Sequence, residues 1–221
     1  MVEIVIASGN RHKCRELAAL CRVDGIRWRT LADMPGIKPA RETGRTFMSN
    51  AVIKARAIAS QTGGLVLADD SGLEVDALDG GPGIRSARFA GRHGDDRANN
   101  ELLLAKLAGR PARGRRARYR CVLALASPHR VVAAAEGTWE GRIAAAPSGR
   151  HGFGYDPVFL VPRMGKTVGE LPARVKHRLS HRAAAARRLR PVLRRLLRDG
   201  VTAGTRTGSA AARRLRARRG S

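Results

Sequence analysis

The chain has 221 residues, with 43 Lys+Arg against 18 Asp+Glu and a formal net charge of +25. A hydrophobic content of 43% excludes wholesale disorder, and three cysteines in no CxxC pattern exclude a disulfide scaffold or a cysteine-rich zinc module. No apolar run approaches the ~20 residues of a membrane helix, and the opening MVEIVIASGN lacks the basic start and long apolar stretch of a signal peptide, so a cytoplasmic protein is expected.

Val2–Ala7 (VEIVIA) is a β-branched run that reads as a buried strand. It breaks at Ser8-Gly9-Asn10, after which Arg11–Cys21 places Cys14, Leu17, Ala18 and Cys21 on one helical face. Residues 33–46 form a loop rich in Pro and Gly. Thr46 reads as the N-cap of a second helix, Phe47–Thr62, stopped by Gly63-Gly64. Leu65–Ala68 (LVLA) is another apolar strand, ending in Asp69-Asp70-Ser71-Gly72. A glycine-rich surface region, Asp79–Gly94, precedes a helix around Ala98–Ala108. After a basic loop, Tyr119–Ala126 and Val131–Thr138 read as a hairpin turned at Ser127-Pro128-His129-Arg130. The loop Pro147–Tyr155 leads into Pro157–Val161, and a last helix opens near Ser180. This alternation predicts an α/β fold. Residues 1–200 are expected as one domain and 201–221, built of Gly, Ser, Thr, Ala and Arg, as a disordered tail.

The positive charge is concentrated. Arg182–Ser221 holds 13 Arg and one acid, and Arg110–Arg120 adds six Arg and no acid, together 18 of the 25 net charges. An arginine-rich loop and solvated tail on a soluble domain would explain this. So would an electrostatic arm for RNA or DNA, working through phosphate contacts without base readout. Only Tyr119 interrupts either segment with an aromatic ring, so neither is a base-stacking platform, and nucleic acid is the secondary reading.

Four constellations carry chemistry. Ser8-Gly9-Asn10-Arg11-His12-Lys13 lies where a strand hands over to a helix, whose free N–H groups and dipole suit a phosphate, although the same pattern serves as a structural turn. Asp69-Asp70-Ser71 follows a buried apolar run; the two carboxylates face opposite ways on a strand and so divide two roles between them. Glu42, in the preceding loop, is a second candidate carboxylate for a hard cation. In Gly152-Phe153-Gly154-Tyr155-Asp156-Pro157, glycines leave a ring free to stack on a flat ligand, or else make a tight turn with core aromatics. Lys176 and Ser180-His181-Arg182 place cationic and donor groups at a helix start, against the macrodipole, which favours an acceptor-rich ligand. Adjacent residues at a helix start cannot supply the geometry of a nucleophilic triad.

Together and in this order, SGNRHK, ETGRTFMSNAVIKARA, LADDSGLEVDALDGGPGIRSARFAG, GFGYDPVF and KHRLSHR resemble the Ham1-like, or inosine triphosphate pyrophosphatase, family, from Val2 through Arg182. The resemblance implies magnesium-dependent hydrolysis of dITP, ITP and XTP to the monophosphate and pyrophosphate. It implies a long twisted mixed sheet flanked by helices, with the active-site cleft between two lobes, in a homodimer. Ser8 to Lys13 would match the family's phosphate-binding turn and Lys54 a lysine that helps hold the triphosphate. Glu42 and Asp70 would match its magnesium ligands, with Asp70 also the proton acceptor. Ser71, Phe153, Gly154, Tyr155, Asp156, Lys176, His181 and Arg182 would match substrate contacts. A pyrophosphatase of the Maf type, with other nucleotide preferences, and an arginine-rich nucleic-acid-binding protein are the alternatives.

The sequence departs from the family's common pattern in places. Arg41 puts a cation beside Glu42 where an acid is frequent. Ser49 stands where a Glu would complete a capping box with Thr46, and its presence predicts a weaker helix start.

Overall fold

The computed structural model describes residues 1–199. Strands β1 (Val2–Ile6), β2 (Ile26–Thr30), β3 (Leu65–Val75), β4 (Arg116–Ala126), β5 (Val131–Ile143), β6 (Phe159–Val161) and β7 (Lys166–Thr167) join one mixed sheet in the order β2-β1-β3-β4-β5-β6-β7. The β2–β1 and β1–β3 pairs are parallel and the remaining four antiparallel. Five helices pack on it: α1 (Arg11–Leu20), α2 (Phe47–Thr62), α3 (Asp96–Lys106), α4 (Ala173–Leu179) and α5 (His181–Arg198).

Strand alternation divides the core. Leu65 and Leu67 of β3, with Leu123 and Leu125 of β4, face α1 and α5, meeting Leu17, Leu20, Leu189 and Leu193. Val66 and Ala68, with Val122, Ala124 and Ala126, face α2 and its Phe47, Ala51, Ala55 and Ile58. Each fully buried leucine here contributes roughly 1.5–3 kcal/mol. A second lobe gathers beyond the middle of the sheet, where Leu73, Val75, Tyr119, Trp139 and Phe159 pack with Leu103 and Leu107. The cleft opens where β3 passes from one lobe to the other.

Helix α2 spans the residues expected of it. Thr46 caps it, and Gly63 closes it in the left-handed region at φ 69°. The expected weakness at Ser49 is absent, because the short side chain completes the capping box itself. Ser49 Oγ accepts from the Thr46 amide at 3.0 Å, and Thr46 Oγ1 accepts from the Ser49 amide at 3.0 Å. The hairpin turn at Ser127–Arg130 also forms, with the Ser127 amide donating to the Arg130 carbonyl. Both of its strands run further than expected.

Strand β3 does not end at Ala68. It continues through Asp69, Asp70 and Ser71 to Val75 because β4 pairs with it along that whole length. Two buried carboxylates are tolerated there only because cations converge on them. Strands β2 and β7 and helix α4 carry no strong sequence signal. In IRWRT the arginines break the apolar run of an edge strand, and α4 is only seven residues long.

The basic segment 110–120 is largely structural. Arg115 donates to the carbonyls of Leu107, Arg110 and Ala144. Arg118 and Arg120 lie within β4 and pair with Glu74, Asp76, Glu136 and Glu140 across the strands. These guanidiniums are therefore engaged by carboxylates of their own sheet. The expected tail, 201–221, lies outside the described residues. Among the described residues no helix is long and apolar enough to cross a membrane.

Candidate active site

A cavity of about 330 Å³ lies over the middle of β3. Ser8, Gly9, Asn10 and Lys13 line one side, Glu42 and Lys54 another, and Asp70 and Ser71 the floor. A smaller cavity of about 100 Å³ continues from it past Phe153, Gly154, Tyr155, Asp156, Lys176, His181 and Arg182. Asn10, Lys13 and Ser71 border both. The structure thus brings together most of the residues singled out by sequence, from five separate segments.

Not all of them arrive in the expected way. Arg11 is exposed and lines neither cavity, and exposed Arg41 also stays outside. His12 stacks on Phe153, ring centroids 5.4 Å apart, on the far side from the larger cavity. Asn10 caps α1, its Oδ1 accepting from the amides of His12 at 2.9 Å and Lys13 at 3.1 Å. Two of the helix's four free amides are therefore already satisfied. What α1 offers an anion is chiefly its dipole and the Lys13 ammonium.

Asp69 and Asp70 divide their work as alternation requires. Asp69 points towards α1 and α5 and is 1% exposed. Its Oδ1 accepts from Lys13 Nζ at 2.7 Å and Ser71 Oγ at 2.8 Å, and its Oδ2 from Arg182 Nε at 3.0 Å and the Cys121 thiol at 3.3 Å. Burial alone would raise this carboxyl, but Lys13 and Arg182 outweigh it and hold the group well below the usual carboxylate range.

Asp70 points towards α2. Its Oδ1 lies 3.6 Å from Lys54 Nζ, which also pairs with Glu42 Oε1 at 3.0 Å and donates to the Asp69 carbonyl at 2.9 Å. Asp70 Oδ2 is buried with no hydrogen-bond partner. Burial pushes the Asp70 carboxyl up to about 6, against the pull of Lys54 and Lys13. An orphaned carboxylate oxygen facing a second carboxylate is a donor set for a hard cation. Magnesium is commonly held by one or two carboxylates, with phosphate oxygens and water completing its shell. Among the described residues no three His, Cys, Asp or Glu side chains form a metal cluster. Glu42 and Asp70 therefore fit an ion shared with a phosphate ligand rather than a protein-enclosed one.

At the other end, Lys176 and Arg182 are buried yet fully paired. Lys176 Nζ meets Asp156 Oδ2 at 2.6 Å and Glu16 Oε1 at 2.7 Å. Arg182 reaches Glu16 Oε2 at 3.0 Å, Asp69 and, at 2.7 Å, Ser71 Oγ. The Phe153 ring lies over both cations, its centroid 4.3 Å from Lys176 Nζ and 5.2 Å from Arg182 Cζ. Its loop is built for this place. Gly152 sits at φ 81°, and a Cβ there would run into the Asp156 carboxylate. Asp156 accepts from the Phe153 amide at 2.9 Å and from Tyr119 Oη at 3.1 Å, so it holds the loop as well as Lys176. Tyr155 is anchored by its own hydroxyl, which donates to the Ser86 carbonyl at 2.8 Å.

His181 opens α5 one residue after its cap, Ser180, whose hydroxyl accepts from the Ala183 amide at 3.2 Å. The helix start can approach β5 because Gly137 has no side chain to strike the His181 carbonyl. His181 is 2% exposed and stacks on Tyr119 at 4.6 Å, with neither ring nitrogen hydrogen-bonded. Burial and the neighbouring Arg182 keep it neutral, well below the usual imidazole range. A neutral imidazole has one donor and one acceptor, and leaving them unmade in a buried site costs about 1–3 kcal/mol each. A ligand entering the small cavity would supply what the protein does not.

Three participants escape sequence reasoning. Arg88 and His93, from the glycine-rich region, border the larger cavity. Glu16 is the third. Its place in α1 reads as an ordinary helical charge until α4 and α5 close over it.

The comparisons with known proteins agree on one family. The Ham1 family model matches residues 4–192. The dITP/XTP pyrophosphatase of Desulforamulus reducens is 47% identical over 195 residues, covering 88% of this chain and 97% of the relative. That of Geobacillus kaustophilus is 49% identical over 189 residues, covering 86% and 93%. Among solved structures, a HAM1 protein from Coxiella burnetii superposes with a TM-score of 0.80 at 40% identity, covering 88% of this chain and all of that one. The nucleoside-triphosphatase / dITP/XTP pyrophosphatase of Mycobacterium abscessus gives 0.70 at 43% identity, covering 87% and 100%.

Proposed function

The chain belongs to the Ham1 family, and from that premise we propose that it hydrolyses dITP, ITP and XTP to the monophosphate and pyrophosphate, clearing non-standard purines from the nucleotide pool. One observation carries the assignment to this site. A carboxylate pair suited to a cation, Glu42 and Asp70, lies next to a buried donor cluster, Lys176, His181 and Arg182, across a single continuous cavity.

The triphosphate lies in the larger cavity, held by Lys13, Lys54 and the N-terminal end of α1. Magnesium bound by Glu42 and Asp70 supplies neutralisation of charge on the phosphate oxygens. Asp70 orients a water molecule and takes its proton as the oxygen attacks the α-phosphorus in line. The bond from the α-phosphorus to the bridging oxygen breaks opposite, and pyrophosphate leaves with the electron pair.

The purine occupies the small cavity, stacked on Phe153, whose ring covers Lys176 and Arg182 and shifts to admit it. Lys176 and Arg182 offer only donors there, and neutral His181 can offer one, so a 6-oxo group is matched and the 6-amino group of adenine is not. Buried donors left unpaired are costly, which is why such sites discriminate strongly. Guanine carries the same 6-oxo group, so these donors separate hypoxanthine and xanthine from adenine only. The enzyme acts as a homodimer.

Pyrophosphate release measured across a triphosphate panel tests the assignment. dITP and XTP are expected to be hydrolysed far faster than dATP. Equal rates on all purine triphosphates would overturn the specificity, and a preference for pyrimidines would favour the Maf type.

A further inference from the structure

Glu16 is a carboxylate 8% exposed in the middle of α1, with both oxygens committed to different cations. Oε1 takes Lys176 Nζ at 2.7 Å, and Oε2 takes Arg182 Nη1 at 3.0 Å. Burial would raise its carboxyl, but Arg182 and Lys176 hold it below the ordinary range, so it remains ionised. We propose that Glu16 is a positioning residue for base recognition, a bridge that fixes Lys176 and Arg182 as one rigid donor pair. The proposal rests on the assignment of the small cavity to a 6-oxopurine.

Counting donors shows what the bridge accomplishes. Lys176 has three N–H groups, of which Glu16 and Asp156 take two. Arg182 has five, of which Asp69, Glu16 and Ser71 take three. One ammonium and two guanidinium N–H groups stay free for a ligand. Their directions are set by the bonds already made, and Glu16 is the one acid bound to both cations. Remove its charge and Lys176 falls back on Asp156, Arg182 on Asp69 and Ser71. The two like charges, no longer joined, move apart.

Stability alone does not explain the arrangement. Buried ion pairs commonly match apolar packing at best, so a carboxylate joining two cations gains little over a leucine there. Position adds to the argument. Lys13, three residues earlier on the same helix, reaches Asp69, which in turn reaches Arg182. Helix α1 thus ties the phosphate end of the site to the base end, and Glu16 is its contact with the base end.

The test is steady-state kinetics of the full-length enzyme with magnesium, following pyrophosphate release from dITP and dATP. For Glu16→Gln we expect KM for dITP to rise at least about tenfold, kcat to change less than about threefold, and the dITP-to-dATP ratio of kcat/KM to fall at least about tenfold. Glu16→Asp keeps the charge but is too short to reach both cations, so its ratio is expected between wild type and Glu16→Gln. It also decides the matter if Glu16→Gln does not fold. A wild-type ratio retained in a folded variant would overturn the role of Glu16 and leave the assigned function standing. A wild-type enzyme that fails to discriminate would overturn the assigned base site, and the role of Glu16 with it.

Discussion

Asp69 and Asp70 are neighbours on β3 with opposite surroundings: Asp69 is closed in by Lys13, Ser71, Cys121 and Arg182, whereas Asp70 keeps one buried oxygen without a partner. The period of two in a strand produces this division, sending one carboxylate under α1 and α5 and the other towards α2. One acid therefore organises the cations, and the other is left free for chemistry.

Substitution should separate the two roles. Asp70→Asn is expected to lower kcat at least about a hundredfold, the scale of losing a positioned base, and to leave the unfolding midpoint in urea nearly unchanged. Asp69→Asn should destabilise by about 3–5 kcal/mol, since it leaves buried Arg182 short of charge compensation. An active Asp70→Asn, or an Asp69→Asn as stable as wild type, would contradict the division.

His181 predicts a pH dependence of stability. Its ring is held neutral by burial and by Arg182, with Lys176 and Lys13 acting the same way and Asp69 opposing them. Tyr119 stacks on the ring without charge. The unfolded chain takes up this proton near the ordinary value of 6.5 and the folded protein does not. The contribution is therefore fully present above that value and is lost as pH falls below it, by about 1.4 kcal/mol per pH unit. Asp70 and Asp156, both raised by burial, act in the opposite sense at lower pH, so the effect is read as a difference. Stability curves of wild type and His181→Phe should run parallel above about pH 7 and converge or cross below about 6.5. Curves parallel throughout would contradict a neutral buried imidazole.

Ser49 provides a test free of the active site. Ser49→Ala removes the hydroxyl that accepts from the Thr46 amide and should cost about 0.5–2 kcal/mol in a chemical unfolding experiment. No change would mean that the serine is not a working substitute for the longer acid.

Where local physics decides, the sequence is readable. Thr46 and Gly63 mark the ends of α2, Ser180 marks the start of α5, and Ser127–Arg130 marks the hairpin turn. The cluster SGNRHK, the Asp69-Asp70 pair and GFGYDP point to the site because each joins a turn to unusual polar residues. What escapes depends on partners distant in the chain. Arg118 and Arg120 read as part of a loose basic loop until Glu74, Glu136 and Glu140 are brought beside them by strand register. Glu16 reads as a surface charge because Arg182, its partner, lies 166 positions away. The length of β3 is likewise fixed by β4, against the local signal of two aspartates.

The most direct test is the product balance of dITP hydrolysis, with pyrophosphate and orthophosphate measured separately in the presence of magnesium. Attack at the α-phosphorus predicts one pyrophosphate for each dIMP formed and no orthophosphate. Release of orthophosphate with dIDP would place the attack at the γ-phosphorus and contradict the roles assigned to Asp70, Glu42 and Lys54.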